Sequence, residues 1–485
     1  MNIVLEAVAG MRDILHNEYH QREQARQTLQ ALMARHGYRP LDVPIIEHRD
    51  LYLRKMGEEL VGKVYEFTFA GADLALRAEW TASVLRAYVT HMQTSPLPLR
   101  LSYSGPVFRY QQPTPDTYRQ FTQAGGELIG GPAPYADAEV LALACAGLDA
   151  LGVADYTIHL AHIGVVRDVL AHLGLAERTQ GLLMWSLERM RNEGVDAVRQ
   201  HLYDLVGDPP IDPALLEGLS DEQVTTLLLR LVQAMQVNIS YGTRTPEAIV
   251  SRLVRKLRHN DSGPALERAL DVLWRLSQIR GTPGPCLSQV RTLLSDVGIT
   301  APALAELEAI VTLLEAHNQP SNRLILDFGM GRGLHYYTGM IFELYGANTV
   351  QLCGGGRYDD LVQVLGGPRP VPAVGFAYNL EHVLAAGTPP PPATSARVVG
   401  VVAASTTPYR YALDVAQHLR GVGFDATVTV ADKTGAEALA YATQRGWYAL
   451  VLVGADEYAT QEVVWYHRDT GQEHRMRFDE LHTGL

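Results

Sequence analysis

Three cysteines in 485 residues, Cys145, Cys286 and Cys353, are too few and too scattered for a disulfide framework or a thiolate metal site. No apolar run approaches the ~20 residues of a membrane span. Glu6, Arg12 and Asp13 stand where a secretory leader would be apolar, so a cytoplasmic protein is expected. Positive charge is short as well. A formal net charge of −12 argues against a dedicated RNA binder unless a local basic face serves that role. What remains, 47% hydrophobic and 19% charged residues, is ordinary for a globular protein, and the length suits two or three domains.

The most informative stretch runs from Gly331 to Asp360. Met340 to Tyr345 reads as a strand, Gly346-Ala347-Asn348 as a turn and Thr349 to Cys353 as a returning strand. Glycines at both ends of this hairpin allow the backbone to approach a small ligand. Arg332, Arg357 and three tyrosines (Tyr336, Tyr337, Tyr358) stand where the strands meet the loops. Guanidiniums beside phenols and bare backbone suit a small zwitterion or anion.

Asn17 to His36 is patterned as an amphipathic helix stopped by Gly37. The segment 37–47, with Pro40 and Pro44, reads as an edge or interface strand, because proline cannot donate to a ladder. Strand-like segments follow at 64–69, 73–78 and 99–109, with helices from about Thr81 and over Ala136 to Leu151. Strands with interspersed helices predict an α+β fold with an antiparallel sheet, its first half spanning 1–155. A mostly helical insertion is expected over 156–323, where Ser220-Asp221-Glu222-Gln223 is a capping box. Its basic cluster (Arg252, Arg255, Lys256, Arg258) reads as a solvated face, His159 and His162 are too isolated to hold a metal, and the Asn238-Ile239-Ser240 sequon carries no weight. The sheet domain resumes over 324–388. A proline-rich linker at 389–396 precedes a small α/β domain at 397–485, where strands and helices alternate.

These residues carry a specific resemblance. Arg-Gly-Leu-His-Tyr-Tyr-Thr-Gly (332–339) and Gly-Gly-Arg-Tyr-Asp-Asp-Leu-Val (355–362) resemble the two histidine signatures of histidyl-tRNA synthetases and their paralogues. Gly-Met-Arg-Asp (10–13) and the segment 37–47 are similar to the start and first motif of these class II enzymes, which in the class builds a homodimer interface. Phe108-Arg109 with Tyr118-Arg119-Gln120-Phe121 resembles the second motif and Val374-Gly375-Phe376 to His382 the third. The domain after the linker is similar to an anticodon-binding domain. The resemblance implies a class II synthetase-like fold and a histidine pocket. In it, Glu79 and Thr81 take the α-amino group, Arg109, Gln123 and Glu127 are polar lining, Arg332 faces the carboxylate, and Leu334, Tyr336, Tyr337 and Tyr358 form the wall.

The nucleotide positions depart from the same pattern. Gln111 stands where a glutamate accepts the adenine amino group, Gln112 where an arginine follows, and Asp116-Thr117 where a basic Gly-Arg is usual. His382 replaces an arginine expected on the ATP tail, and a mostly neutral imidazole lacks that fork of donors. Losing one electrostatic donor can cost about 3–4 kcal/mol of barrier, so several losses predict negligible adenylation. From Arg397 to Leu485, eight Lys/Arg stand against eleven Asp/Glu, which makes tRNA an unlikely partner.

A retained histidine pocket beside degenerate ATP positions implies the synthetase-like regulatory subunit of ATP phosphoribosyltransferase. That reading predicts no catalysis by this chain, no cofactor, no metal and no membrane. Its partners would be histidine, a second copy of the chain and the short-form catalytic subunit, with feedback on histidine biosynthesis. The regulatory family usually lacks the C-terminal domain. The alternative is therefore a histidine–tRNA ligase using ATP and Mg²⁺.

Overall fold

The structure is a computed structural model describing residues 6–56, 62–112, 114, 117–206, 219–234, 250, 263–317, 319, 321–331, 336–387, 398–404, 407–430, 435–468 and 470–481. It divides into two units, Met1–Pro389 and Pro390–Leu485.

The first unit is organised on a nine-stranded sheet. Its strands, in spatial order, are Arg39–Pro40, Leu99–Phe108, Gln120–Ile129, Ala373–Asn379, Gln351–Arg357, Met340–Gly346, Tyr156–His162, Leu324–Asp327 and Arg280–Gly281. The centre is antiparallel, from Leu99–Phe108 through to Tyr156–His162. Proline-marked Arg39–Pro40 lies at one edge and pairs parallel with Leu101 and Ser102, as expected of a strand short of donors. The hairpin read from the sequence forms at 340–346 and 351–357, its register slipping between Leu344 and Tyr345. Tyr156–His162, placed by sequence at the start of the insertion, instead runs inside the sheet beside Met340–Gly346.

Side-chain alternation divides the sheet into two faces. On Gln120–Ile129, Ala124 and Leu128 join one core with Val374, Phe376 and Tyr378 of the neighbouring strand. Helix His16–Arg35 adds Ala25, Leu29 and Met33 to that core, one residue per turn. Helix Tyr135–Ala150 adds Leu141, Leu148 and their neighbours. On the same strand, the odd-numbered Gln123 and Glu127 stand on the opposite face, which carries the cavity described below. A separate three-stranded sheet (Ile46–His48, Ala72–Leu76, Glu66–Phe69) flanks that face together with helices Arg49–Met56 and Thr81–Ala87.

The inserted helices anchor back on the sheet through polar ties. Arg191, on helix Leu187–Glu193, donates to both oxygens of Asp327 at 2.9 Å. Buried His162 bonds Glu306 at 2.9 Å. The capping box forms as expected: Gln223 donates its backbone N–H to Ser220 Oγ at 3.2 Å, and Ser220 N–H donates to Gln223 Oε1 at 2.7 Å. The basic cluster at 252–258 and the sequon lie outside the described residues.

In the second unit three parallel strands, Asp425–Val430, Val398–Ala403 and Ala449–Val453, follow the expected alternation with helices Tyr409–Gly421 and Gly435–Arg445. Both faces are covered, Val399 and Val401 on one and Val402 and Leu450 on the other. An antiparallel hairpin, Glu462–His467 with Glu473–Arg477, extends the sheet beyond what the sequence alternation conveyed.

Candidate active site

The cavity on the open face of the large sheet measures ≈ 420 Å³. Glu79, Thr81, Arg109, Gln111, Thr117, Gln123, Tyr336, Tyr337, Tyr358 and His382 all line it. Residues about 300 positions apart in sequence, from Glu79 to His382, thus border one cavity. Gln112 is exposed and does not line it, Glu127 is buried behind Tyr358 and Gly375 and does not line it either, and Arg332 and Leu334 lie outside the described residues.

Beneath its floor, which Gln123, Tyr358 and Gly375 line, runs a hydrogen-bonded chain around Glu127. The Tyr103 hydroxyl donates to Glu127 Oε1 at 3.0 Å, and the Tyr358 hydroxyl contacts Oε2. Burial raises the Glu127 carboxyl to about 8, against the opposing pull of its Thr81 hydrogen bond, so at neutral pH it is largely protonated. Gly375 lies directly across the ladder from Glu127 and leaves room for it; a Cβ there would overlap the carboxyl and the Tyr358 hydroxyl. Next to this floor Gln123 Oε1 is buried with no partner among the described residues. Such an orphaned acceptor is costly unless a ligand donor meets it.

Among the described residues, Arg109, Lys55 and Lys63 are the lysines and arginines that line the cavity. Arg109 Nε donates to the Ala78 carbonyl at 2.9 Å, and its guanidinium lies 5.3 Å from the Phe121 ring centroid. Burial disfavours charge on both Lys55 and Glu79, yet their mutual attraction outweighs it, holding Lys55 above and Glu79 below their ordinary values. Neither lysine was singled out by motif, nor was Tyr103. A signal existed: the chain has only four lysines, Lys55, Lys63, Lys256 and Lys433, among 41 basic residues. Two of the four meet in this cavity.

Two nucleotide-type positions are held in place by backbone. Gln111 Nε2 donates to the Tyr118 carbonyl at 2.8 Å, leaving its own carbonyl oxygen as an acceptor. His382 Nδ1 donates to the Gln351 carbonyl at 2.8 Å, and its backbone N–H is capped by Asn379 Oδ1 at 3.2 Å.

One expectation from the hairpin stretch is corrected. Arg357 does not face a ligand. It is buried, donates through Nε to both Asp137 oxygens at 3.0 Å, reaches Asp359 at 2.9 Å and the Gly131 carbonyl at 3.2 Å. It ties the hairpin to the first turn of helix Tyr135–Ala150, a structural task.

The profile described as Histidyl-tRNA synthetase matches residues 10–205 and 223–383, and one described as Anticodon binding domain matches 397–485. This chain belongs to the histidyl-tRNA synthetase family. A histidine–tRNA ligase of Methanocaldococcus jannaschii is 28% identical over 483 residues, covering 99% of both chains. One of Pyrobaculum calidifontis is 30% identical over 463 residues, 93% of this chain and 91% of its own. Among solved structures, one from Bacillus halodurans described as an ATP phosphoribosyltransferase regulatory subunit/histidyl-tRNA synthetase superposes with a TM-score of 0.67 at 21% identity, covering 94% of this chain and 100% of that one. Histidyl-tRNA synthetase from Nostoc sp. gives 0.65 at 20% identity, covering 99% and 98%. At such identities these structures establish the class II synthetase fold alone.

The family relationship corrects the regulatory reading. The relatives that match along the full length, C-terminal domain included, are named histidine–tRNA ligases. The regulatory role in histidine biosynthesis is therefore set aside, and the reason for expecting a short-form catalytic partner and a non-enzyme falls with it. No helix among the described residues is long and apolar enough to cross a membrane.

Proposed function

We propose that the chain is an ATP-dependent histidine–tRNA ligase. In that reaction a carboxylate oxygen of histidine attacks the α-phosphorus of ATP and pyrophosphate leaves. A terminal ribose hydroxyl of the tRNA then takes the acyl group and AMP is released. The observation that carries the reading is the full-length similarity to ligases combined with the Gln123-lined floor above Glu127. An orphaned acceptor beside a neutral carboxyl suits the N–H donor of an imidazole.

The substitutions at the nucleotide positions are compatible with this chemistry. Gln111 keeps a carbonyl acceptor where an adenine amino group would donate. Phosphate charge falls to Arg109 and Lys63 rather than to residue 382. Among the described residues no group of three or more His, Cys, Asp or Glu gathers as a metal site. Mg²⁺ would thus enter with the nucleotide, held largely by phosphate oxygens and water. The chain would work as a homodimer through segment 37–47 and the adjoining small sheet, where Ile45, Ile46, Phe67 and Phe69 are exposed.

Histidine-dependent exchange of pyrophosphate into ATP tests the first step, and charging of tRNA the second. Exchange is expected with histidine alone among the amino acids. A purified, folded protein that binds histidine yet shows no exchange would overturn the proposal.

A further inference from the structure

Lys55 sits at the end of helix Arg49–Met56, with its ammonium 2.7 Å from Glu79 Oε2. The other Glu79 oxygen accepts the Ala82 backbone N–H at 2.9 Å. Both ends of the carboxylate are thus engaged by the protein itself. The side chains are only 3% and 9% exposed, so solvent screens the pair weakly. Lys55 Nζ also lies 4.5 Å from the Tyr336 ring centroid, holding it against the cavity wall.

This arrangement bears on what the cavity selects. A buried carboxylate facing an open pocket attracts a ligand ammonium strongly. One already neutralised by a resident ammonium gains little from a second cation until the first withdraws. Withdrawal breaks a buried ion pair and a cation–π contact, which offsets the new interaction. We propose that Lys55 is a built-in counter-ion that lowers the pocket's discrimination for a ligand α-ammonium. The cavity then binds imidazole-bearing carboxylates with and without that amino group comparably. The inference rests on reading the cavity as an amino-acid site and adds to it a specificity-setting residue.

The test is calorimetric and uses the full chain with two probes, histidine and 3-(imidazol-4-yl)propionate. In the wild type the two dissociation constants are expected to lie within about tenfold, equivalent to about 1.4 kcal/mol. Lys55→Met leaves Glu79 to the ligand, so histidine binds more tightly and the ratio widens by about tenfold or more. Lys55→Arg keeps a cation and the wild-type ratio. The inference is overturned by a wild-type ratio beyond about a hundredfold, by an unchanged ratio in Lys55→Met, or by weaker histidine binding in that variant. Should Lys55→Met fail to fold, the wild-type ratio and the Lys55→Arg variant still decide. Histidine binding to none of the proteins overturns the amino-acid reading itself; binding with an unmoved ratio overturns only the role of Lys55.

Discussion

Replacing Arg357 by methionine removes a guanidinium that satisfies four oxygens at once: both of Asp137, one of Asp359 and the Gly131 carbonyl. The Asp137 side chain is 0% exposed, so the variant leaves a carboxylate in the interior without its counter-charge. Breaking one half of a buried pair in this way costs about 3–5 kcal/mol. The packing agrees, since a Cβ at Gly339 would come within 2.9 Å of Arg357 Cδ, leaving no slack for another polar partner. Urea unfolding should show a midpoint lowered by about 1 M or more, given a slope of a few kcal/mol per molar. The double variant Asp137→Leu, Arg357→Met should recover most of the loss, because removing both charges leaves nothing unpaired. Under conditions where Arg357→Met stays folded, its histidine affinity should match the wild type. A stability cost under about 1 kcal/mol together with weakened histidine binding would refute the reasoning, and would return Arg357 to the ligand-facing role that the hairpin stretch suggests.

Glu127→Gln mimics the protonated carboxyl. With the native carboxyl near 8 and its ordinary value 4.5, the folded state holds an extra proton between those limits. Wild-type stability should therefore fall as pH rises from about 5 to about 8 and level off above, by roughly 1–4 kcal/mol relative to Glu127→Gln, read by thermal melts across pH. Gly375→Ala should push a methyl into the Glu127–Tyr358 contact, costing about 1–3 kcal/mol of stability and at least about tenfold in histidine affinity by calorimetry. Arg109→Lys loses the planar donor pair while keeping charge, and pyrophosphate exchange should drop by about a hundredfold or more. Lys63→Ala should raise the KM for ATP more than that for histidine, in the same assay.

The sheet, its helical cover and the α/β second unit were legible because they rest on local periodicity and punctuation. Strand pattern and a turn placed the hairpin at 340–353, a capping box started a helix, and Gly37 ended one. Most of the site was legible for a different reason: motifs keep residue types that chemistry requires, and Glu79, Arg109, Gln123 and the tyrosines do converge. Edge placement and partner choice were not. Tyr156–His162 borders a helical stretch in sequence, and nothing local says that its ladder partner is Met340–Gly346.

The same limit explains why the partners of Arg357 and Lys55 were not legible. Arg357 and Lys55 carry one charge each, and their own sequence neighbourhoods cannot show which acid lies opposite. Arg357 meets Asp137 across 220 positions, Lys55 meets Glu79 across 24, and both pairs are buried. A charge with an internal partner is not free to pair with a ligand directly; one without is available to it. Missing arginines at motif positions do not by themselves empty the site of charge, because a phosphate responds to the summed field of whatever cations line the cavity. On the proposed reading Lys63, which belongs to none of the quoted motifs, would bear on ATP as much as His382, which belongs to one.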